Sequence, residues 1–260
     1  MKAIGRENIW FAFKNIRNDT LKVRMLSMPT RPHPARKGKV VDIPGADDLW
    51  QDGGGYKRII VPIRLITEDN ANIDDVNAWL SGEGWLVFGD EPARAYRARI
   101  TKEFSRSNRS QRLRGQEFTV SFDCEPYRYS ADPTFESITL RKVSNALSSS
   151  TEVVNTGTLE SLPLLKVSGG SEGTVRIGVP PTDLNGGVEL AFTGLEPGKP
   201  VYVNCAAKLA YTGEGTVEDP YVLANHLVSG DWPQIPTGST YAIISGDIDE
   251  LKITPNWRWL

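Results

Sequence analysis

Cysteine and histidine are scarce in this 260-residue chain, with two of each, and no apolar run approaches the length that crosses a bilayer. Each shortage closes off a class of function. Cys124 and Cys205 fall in different halves and read as buried strand thiols, with a disulfide between them as the alternative. They are too few for a secreted disulfide scaffold. His33 and His226 are far apart, and with the cysteines they make no metal-ligand spacing. A phosphate-binding loop, a dinucleotide fingerprint, a Gly-x-Ser-x-Gly elbow and a metalloprotease helix are all missing. The acidic pairs Asp47-Asp48 and Asp74-Asp75 suit solvated turns and a helix cap better than paired catalytic carboxylates. No metal, cofactor or enzymatic activity is therefore expected. Met1-Lys-Ala-Ile-Gly-Arg6 lacks the hydrophobic segment of a signal peptide, so the expectation is synthesis in the cytoplasm without membrane insertion.

What the chain does contain is turn-forming residues and an uneven charge. Its 17 prolines and 24 glycines favour many short strands over long helices. Net charge is −2, but residues 1–130 carry 22 Lys and Arg against 17 Asp and Glu, while residues 131–260 carry 8 against 15. The length accommodates two cores. The expected division is an N-terminal antiparallel β-sandwich or split-barrel domain with a short helix over residues 1–133, followed by a C-terminal β-sandwich over 134–260. The fold class is mainly β.

The first half is organised around residues 72–127. Asn72 can cap a helix of about two turns that places Ile73, Val76 and Leu80 on one face, with Trp79 beside them and Gly82 and Gly84 ending it. Trp85–Phe88, Ala95–Ile100 and Gln116–Cys124 read as antiparallel strands. Phe118, Val120, Phe122 and Cys124 face inward, while Arg97 and Arg99 share the wet face with Glu117 and Asp123. Upstream, Asn8–Phe13, Leu21–Met28 and Arg58–Ile66 read as strands, the last with Pro62 marking an edge or bulge. Pro29–Tyr56, which includes Arg31, Arg36, Lys37 and Lys39, reads as a long functional loop or arm. Leu147-Ser-Ser-Ser-Thr151 reads as a linker or loop. Beyond it, short apolar runs alternate with Gly-rich turns, as in a sandwich.

Two surface groups stand out. Lys102, Arg106, Arg109, Arg112 and Arg114 crowd one loop that lacks interleaved aromatics; a solvated hairpin tip is one reading, and docking on an acidic protein surface is the sharper one. Trp232, Tyr241 and Trp257, with Trp259, either pack the sandwich core or form a platform for stacking sugars.

Certain stretches, in order, resemble a known family. They are Ile43-Pro-Gly-Ala-Asp-Asp-Leu49, Arg58-Ile-Ile-Val-Pro-Ile-Arg64, Asn77-Ala-Trp-Leu80, Leu86-Val-Phe-Gly-Asp-Glu-Pro92, Tyr96-Arg-Ala98 and Phe118-Thr-Val-Ser-Phe-Asp-Cys-Glu-Pro-Tyr127. Residues 1–130 are similar through them to the N-terminal domain of the distal tail protein of siphophages, the phages with long non-contractile tails. Asn155-Thr-Gly157, Leu162-Pro163 and the ending Gly238-Ser-Thr-Tyr241 to Ile253-Thr-Pro-Asn-Trp257 resemble, more loosely, that family's galectin-like C-terminal sandwich. The resemblance implies a structural virion protein at the tail tip. It would form a homohexameric ring between the tail tube and the receptor-binding proteins, with a channel that passes DNA without sequence-specific binding. Sugar-holding galectins use a His-x-Asn-Pro-Arg stretch, and Ala224-Asn-His-Leu-Val228 offers neither the Pro nor the Arg. The second domain is therefore expected to dock proteins. A carbohydrate-binding, adhesin-type sandwich is the alternative.

Overall fold

The computed structural model describes residues 9–44, 47–69, 71–105, 115–132, 137–144, 146–180 and 186–260. The chain divides into two compact units, Met1–Ala131 with Leu260, and Asp132–Trp259.

Among the described residues of the first unit the strands are β1 (Phe11–Phe13), β2 (Ile16–Arg17), β3 (Val23–Met25), β4 (Arg36–Val41), β5 (Leu49–Tyr56), β6 (Ile59–Thr67), β7 (Glu83–Phe88), β8 (Arg94–Ile100) and β9 (Glu117–Ser130). Seven of them form an antiparallel sheet in the order β2-β1-β7-β8-β9-β6-β3. The β1–β2 turn is tight: Phe13 pairs with Ile16, and Lys14 and Asn15 between them have φ of 51° and 63°. Two successive left-handed residues match the twist of a hairpin, and asparagine tolerates that conformation.

Helix α1 (Ile73–Trp79) begins where the Asn72 side chain accepts from the Asp74 N–H at 3.1 Å. Its buried residues, Val76 and Trp79, and the following Leu80 lie in the core with Phe11, Phe13, Phe88, Phe118 and Phe122. Trp79 stacks on Phe11 with centroids 5.3 Å apart, and its indole N–H donates to the Phe13 carbonyl at 2.8 Å. So short a helix gains its stability from this packing, not from propensity. Pro62 sits in β6 between β9 and β3, but β3 covers β6 only from Leu65 to Thr67. The missing proline N–H therefore falls where the strand is locally an edge.

Pro29–Tyr56 is not an irregular loop. β4 and β5 pair as a separate two-stranded ribbon, Lys39 with Gln51, Val40 with Trp50 and Val41 with Leu49. Gly-Gly-Gly in β5 and scattered polar residues give no alternation, so sequence pattern hides the strands.

Among the described residues of the second unit the strands are β10 (Ile138–Arg141), β11 (Ser148–Asn155), β12 (Leu164–Val179), β13 (Val188–Phe192), β14 (Val201–Asn204), β15 (Leu209–Thr212), β16 (Val222–Leu223), β17 (Val228–Gly230), β18 (Gly238–Thr254) and the two-residue β19 (Arg258–Trp259). β12 and β18 are long enough to serve two layers. Their pairing shifts between Ser168 and Gly173. On one side of that irregularity β11 pairs with β18, and β13 with β12 and β17. On the other, β10 pairs with β18, and β12 leads through β14 and β15 to β16. One core cluster draws Val175, Ile177, Phe192 and Ile244 from the first side and Leu165, Val203, Leu251 and Ile253 from the second. Close approach explains the bend: a Cβ on Gly169 would lie 2.3 Å from the Asp247 carbonyl oxygen. Leu147–Thr151 is not a linker, because Ser148–Asn155 forms β11 along eight residues of β18. Serines carry little strand signal, and it is the pairing with β18 that makes the strand.

Candidate interaction surfaces

Three features of the first unit present groups to the outside. The ribbon is the most exposed. Val40, Ile43, Leu49 and Trp50 are 58%, 39%, 57% and 51% exposed, an apolar set that a solvated hairpin has no use for. Trp50 lies over Gly38, where an added Cβ would meet its ring at 2.3 Å, so the ribbon has a side chain stacked across a glycine. Its base is fixed. Arg31 Nη1 donates to Asp90 at 3.1 Å and its guanidinium lies 5.0 Å from the Phe88 ring, while the Lys57 N–H donates to the Ala35 carbonyl at 2.8 Å. Arg36 lies 5.8 Å from the Tyr56 ring.

From that base an aromatic track crosses the outer face of the sheet. Tyr56 meets Tyr127 at 6.2 Å, Tyr127 meets Tyr129 at 6.5 Å, and Tyr129 meets Trp85 at 5.5 Å. Trp85 is 42% exposed and stands opposite Arg97, which has no ion pair among the described residues.

The third feature is ionic. Arg99 faces Asp123 across β8 and β9, as the alternation anticipates, and donates through Nε at 2.9 Å. Arg58, just before β6, donates to the other oxygen at 2.7 Å and to the Asp123 carbonyl at 2.8 Å. Burial alone would raise the Asp123 pKa, but the two guanidinium groups outweigh it and hold the carboxylate below its usual range. The arrangement fixes the centre of the sheet and offers no proton donor or nucleophile. Cys124 and Cys205 are buried free thiols, pushed up to about 12 chiefly by burial. A thiol so held is inert.

Of the basic loop, Lys102 is exposed, and Arg106, Arg109, Arg112 and Arg114 lie outside the described residues. The residues of the candidate sugar platform differ in burial. Trp257 is 3% exposed within the core, Trp232 packs partly against it, and Tyr241 alternates with core-facing Thr240 and Ala242 on β18. A ring inside the core presents no face to a sugar, and Trp257 and Trp259 are such rings, while Trp232 lies partly buried at the core's margin. His226 is exposed in a single 3-10 turn, Asn225–Leu227. Asn155 acts as a clasp: its amide donates to the Leu159 and Ile235 carbonyls at 3.0 and 3.1 Å, and its oxygen accepts from Gly157 at 2.8 Å. Among the described residues no group of three His, Cys, Asp or Glu could hold a metal ion.

Comparison of the whole chain with solved structures decides what architecture these surfaces decorate. The crystal structure of the SPP1 Dit (gp 19.1) protein, described as a paradigm of the hub adsorption apparatus in phages infecting Gram-positive hosts, superposes with a TM-score of 0.60 at 16% identity. The match covers 96% of this chain and 99% of that one. The chain has the fold of the Dit protein. A chain of the phage P2 baseplate in its activated, calcium-containing form matches with a TM-score of 0.52 at 11% identity, over 86% of this chain and 91% of that one. The strontium-containing P2 baseplate gives 0.55 at 12% identity, over 89% and 90%. No protein-family model and no curated protein matches the sequence. The Dit fold therefore reaches this chain through backbone geometry at an identity where side-chain pattern has mostly diverged.

Proposed function

We propose that this chain is a structural hub protein of a siphophage tail tip. In this reading, six copies close a ring through the first unit, joining the tail tube to the receptor-binding proteins around a channel for DNA. The protein then resides in the virion and has no enzymatic task. The near full-length likeness to the SPP1 Dit protein carries the reading, since the match spans 96% of this chain and 99% of that one. The exposed ribbon supports it. Head-to-tail contacts that close a ring need one surface to reach a different surface on the next copy. A ribbon fixed at its base, with Val40, Leu49 and Trp50 bare, suits that role. The second unit would then dock the receptor-binding machinery, and the basic loop from Lys102 to Arg114 an acidic neighbouring tail protein.

Native mass spectrometry of the full chain at tens of micromolar tests the ring. Wild type should show sixfold species, and a Val40→Ser/Trp50→Ser variant should show monomers. Monomers in both, or sixfold species in both, would remove the ribbon from the account.

A further inference from the structure

The second unit has only eight basic residues, yet two of them are set directly against each other. Lys166 on β12 pairs in register with Lys252 on β18. Their neighbours Leu165, Val167, Leu251 and Ile253 are all buried, so both lysines stand on the outer face of the sheet. Like charges directly opposite across an antiparallel pair are destabilising, and either position could carry a neutral residue without disturbing the core.

The rest of the row shows what surrounds them. Register continues from Thr139 on β10 through Lys252 and Lys166 to Tyr202 on β14 and Tyr211 on β15. Tyr202 and Tyr211 stack with centroids 5.4 Å apart and an interplanar angle of 10°. Lys166 lies 5.3 Å from the Tyr202 ring centroid, and Glu214 reaches its ammonium only at 3.9 Å. Glu250, the nearest acid on the β18 side, is taken by Arg141 at 2.7 Å. Lys252 has no ion pair among the described residues. The row therefore presents an under-neutralised cation pair beside a rigid aromatic stack. The Tyr202 ring is shared between Tyr211 and Lys166, its hydroxyl donates to Glu214 at 3.3 Å, and Tyr211 meets the exposed Tyr221 in a T-shaped contact at 4.9 Å, so the faces of the stacked pair are already engaged. Such a surface suits carboxylates on an extended peptide better than the open faces of sugar rings.

We propose that the outer face around Lys166 and Lys252 binds an acidic, extended segment of a partner protein. The inference rests on the reading of the second unit as a docking domain and names the chemistry of what it docks. It also qualifies the charge of that unit. The surface is acidic in sum, but charges more than a Debye length of about 8 Å away are largely screened in physiological salt, so the two lysines, offset in part by Glu214, set the local potential.

The test is fluorescence anisotropy of a labelled ten-residue oligoglutamate peptide with the full chain at about 0.15 M salt and again at higher salt, against polygalacturonate at matched carboxylate concentration. Native mass spectrometry of the same samples reports the ring separately. The account expects salt-sensitive binding of the peptide, weakened about tenfold by Lys166→Gln/Lys252→Gln, the yield of two exposed ion pairs. A Lys199→Gln/Lys208→Gln variant with the same change in net charge should bind as wild type does. Equal weakening by both double variants, no peptide binding at all, or tighter binding of polygalacturonate than of peptide would overturn the proposal, whether or not rings form.

Discussion

The two units solve the problem of a β core in different ways. The first fills one sheet with aromatics and seals it with a two-turn helix: Phe122 meets Phe11 and Phe13 edge-on at 6.0 and 5.1 Å, and Trp79 covers Phe11. The second has no α-helix among its described residues and draws its core mainly from aliphatic side chains on two long bent strands. A helix-sealed sheet can spare segments for the outside, and the first unit does so with its ribbon. In the second unit β12 and β18 each serve both layers, and what it offers outward is sheet face and short edge strands. The comparison predicts that the first unit carries assembly and the second carries docking.

The strongest way to break that contrast is to open the first core. Phe122 is fully buried, and Phe122→Ala should cost about 3–5 kcal/mol from lost transfer energy and the residual cavity. Denaturant unfolding should then show two transitions, the first unit melting early and the second unchanged. A single shifted transition would mean that the two cores are not independent.

Next in size is the ionic centre of the first sheet. The folded-state pKa of Asp123 is depressed, so its stabilisation is present above the ordinary carboxylate pKa and is lost as pH falls through the depressed value. Removing the carboxylate strands Arg58 and Arg99, and Asp123→Ala should cost about 1–3 kcal/mol at neutral pH. The difference from wild type should shrink as pH is lowered below about 4, where the carboxylate of the unfolded chain begins to protonate while the folded one is still charged. Thermal melts across pH read it, and a gap that widens toward acid would contradict the assignment.

A smaller effect on stability, but a larger one on assembly, is expected at Gly38. A side chain there collides with the Trp50 ring, so Gly38→Val should distort the ribbon while shifting the melting temperature of either unit little. Size-exclusion chromatography should show the oligomer reduced; an intact oligomer would separate ribbon shape from assembly. The smallest change is at the helix cap. Asn72→Ala removes the acceptor for the Asp74 N–H and should cost about 1 kcal/mol in the first unit alone, measured by its own unfolding transition.

How much of this could be read from the chain varies with how local the cause is. The helix from Asn72, its buried face and the Arg99–Asp123 facing pair follow from cap chemistry and from period-2 alternation, both written in neighbouring residues. The β-rich class and the likeness to tail-tip proteins were legible in the same strands. The ribbon was not, because Leu49-Trp-Gln-Asp-Gly-Gly-Gly-Tyr56 has no alternation and becomes a strand only by pairing with β4. β11 was missed for the same reason: Ser148-Ser-Ser-Thr151 gains its extended form from β18. The Lys166–Lys252 pair lies beyond any local reading, since 86 positions separate residues that only register brings together. Trp257 shows the converse hazard, for an aromatic near the chain end reads equally as platform or core until its burial is known.

Negative-stain electron microscopy of the purified full chain tests the central claim most directly. The account predicts class averages with six-fold symmetry and a central opening in wild type, and single particles of monomer size for Val40→Ser/Trp50→Ser. A wild-type protein that stays monomeric at tens of micromolar, with both units folded, would contradict it.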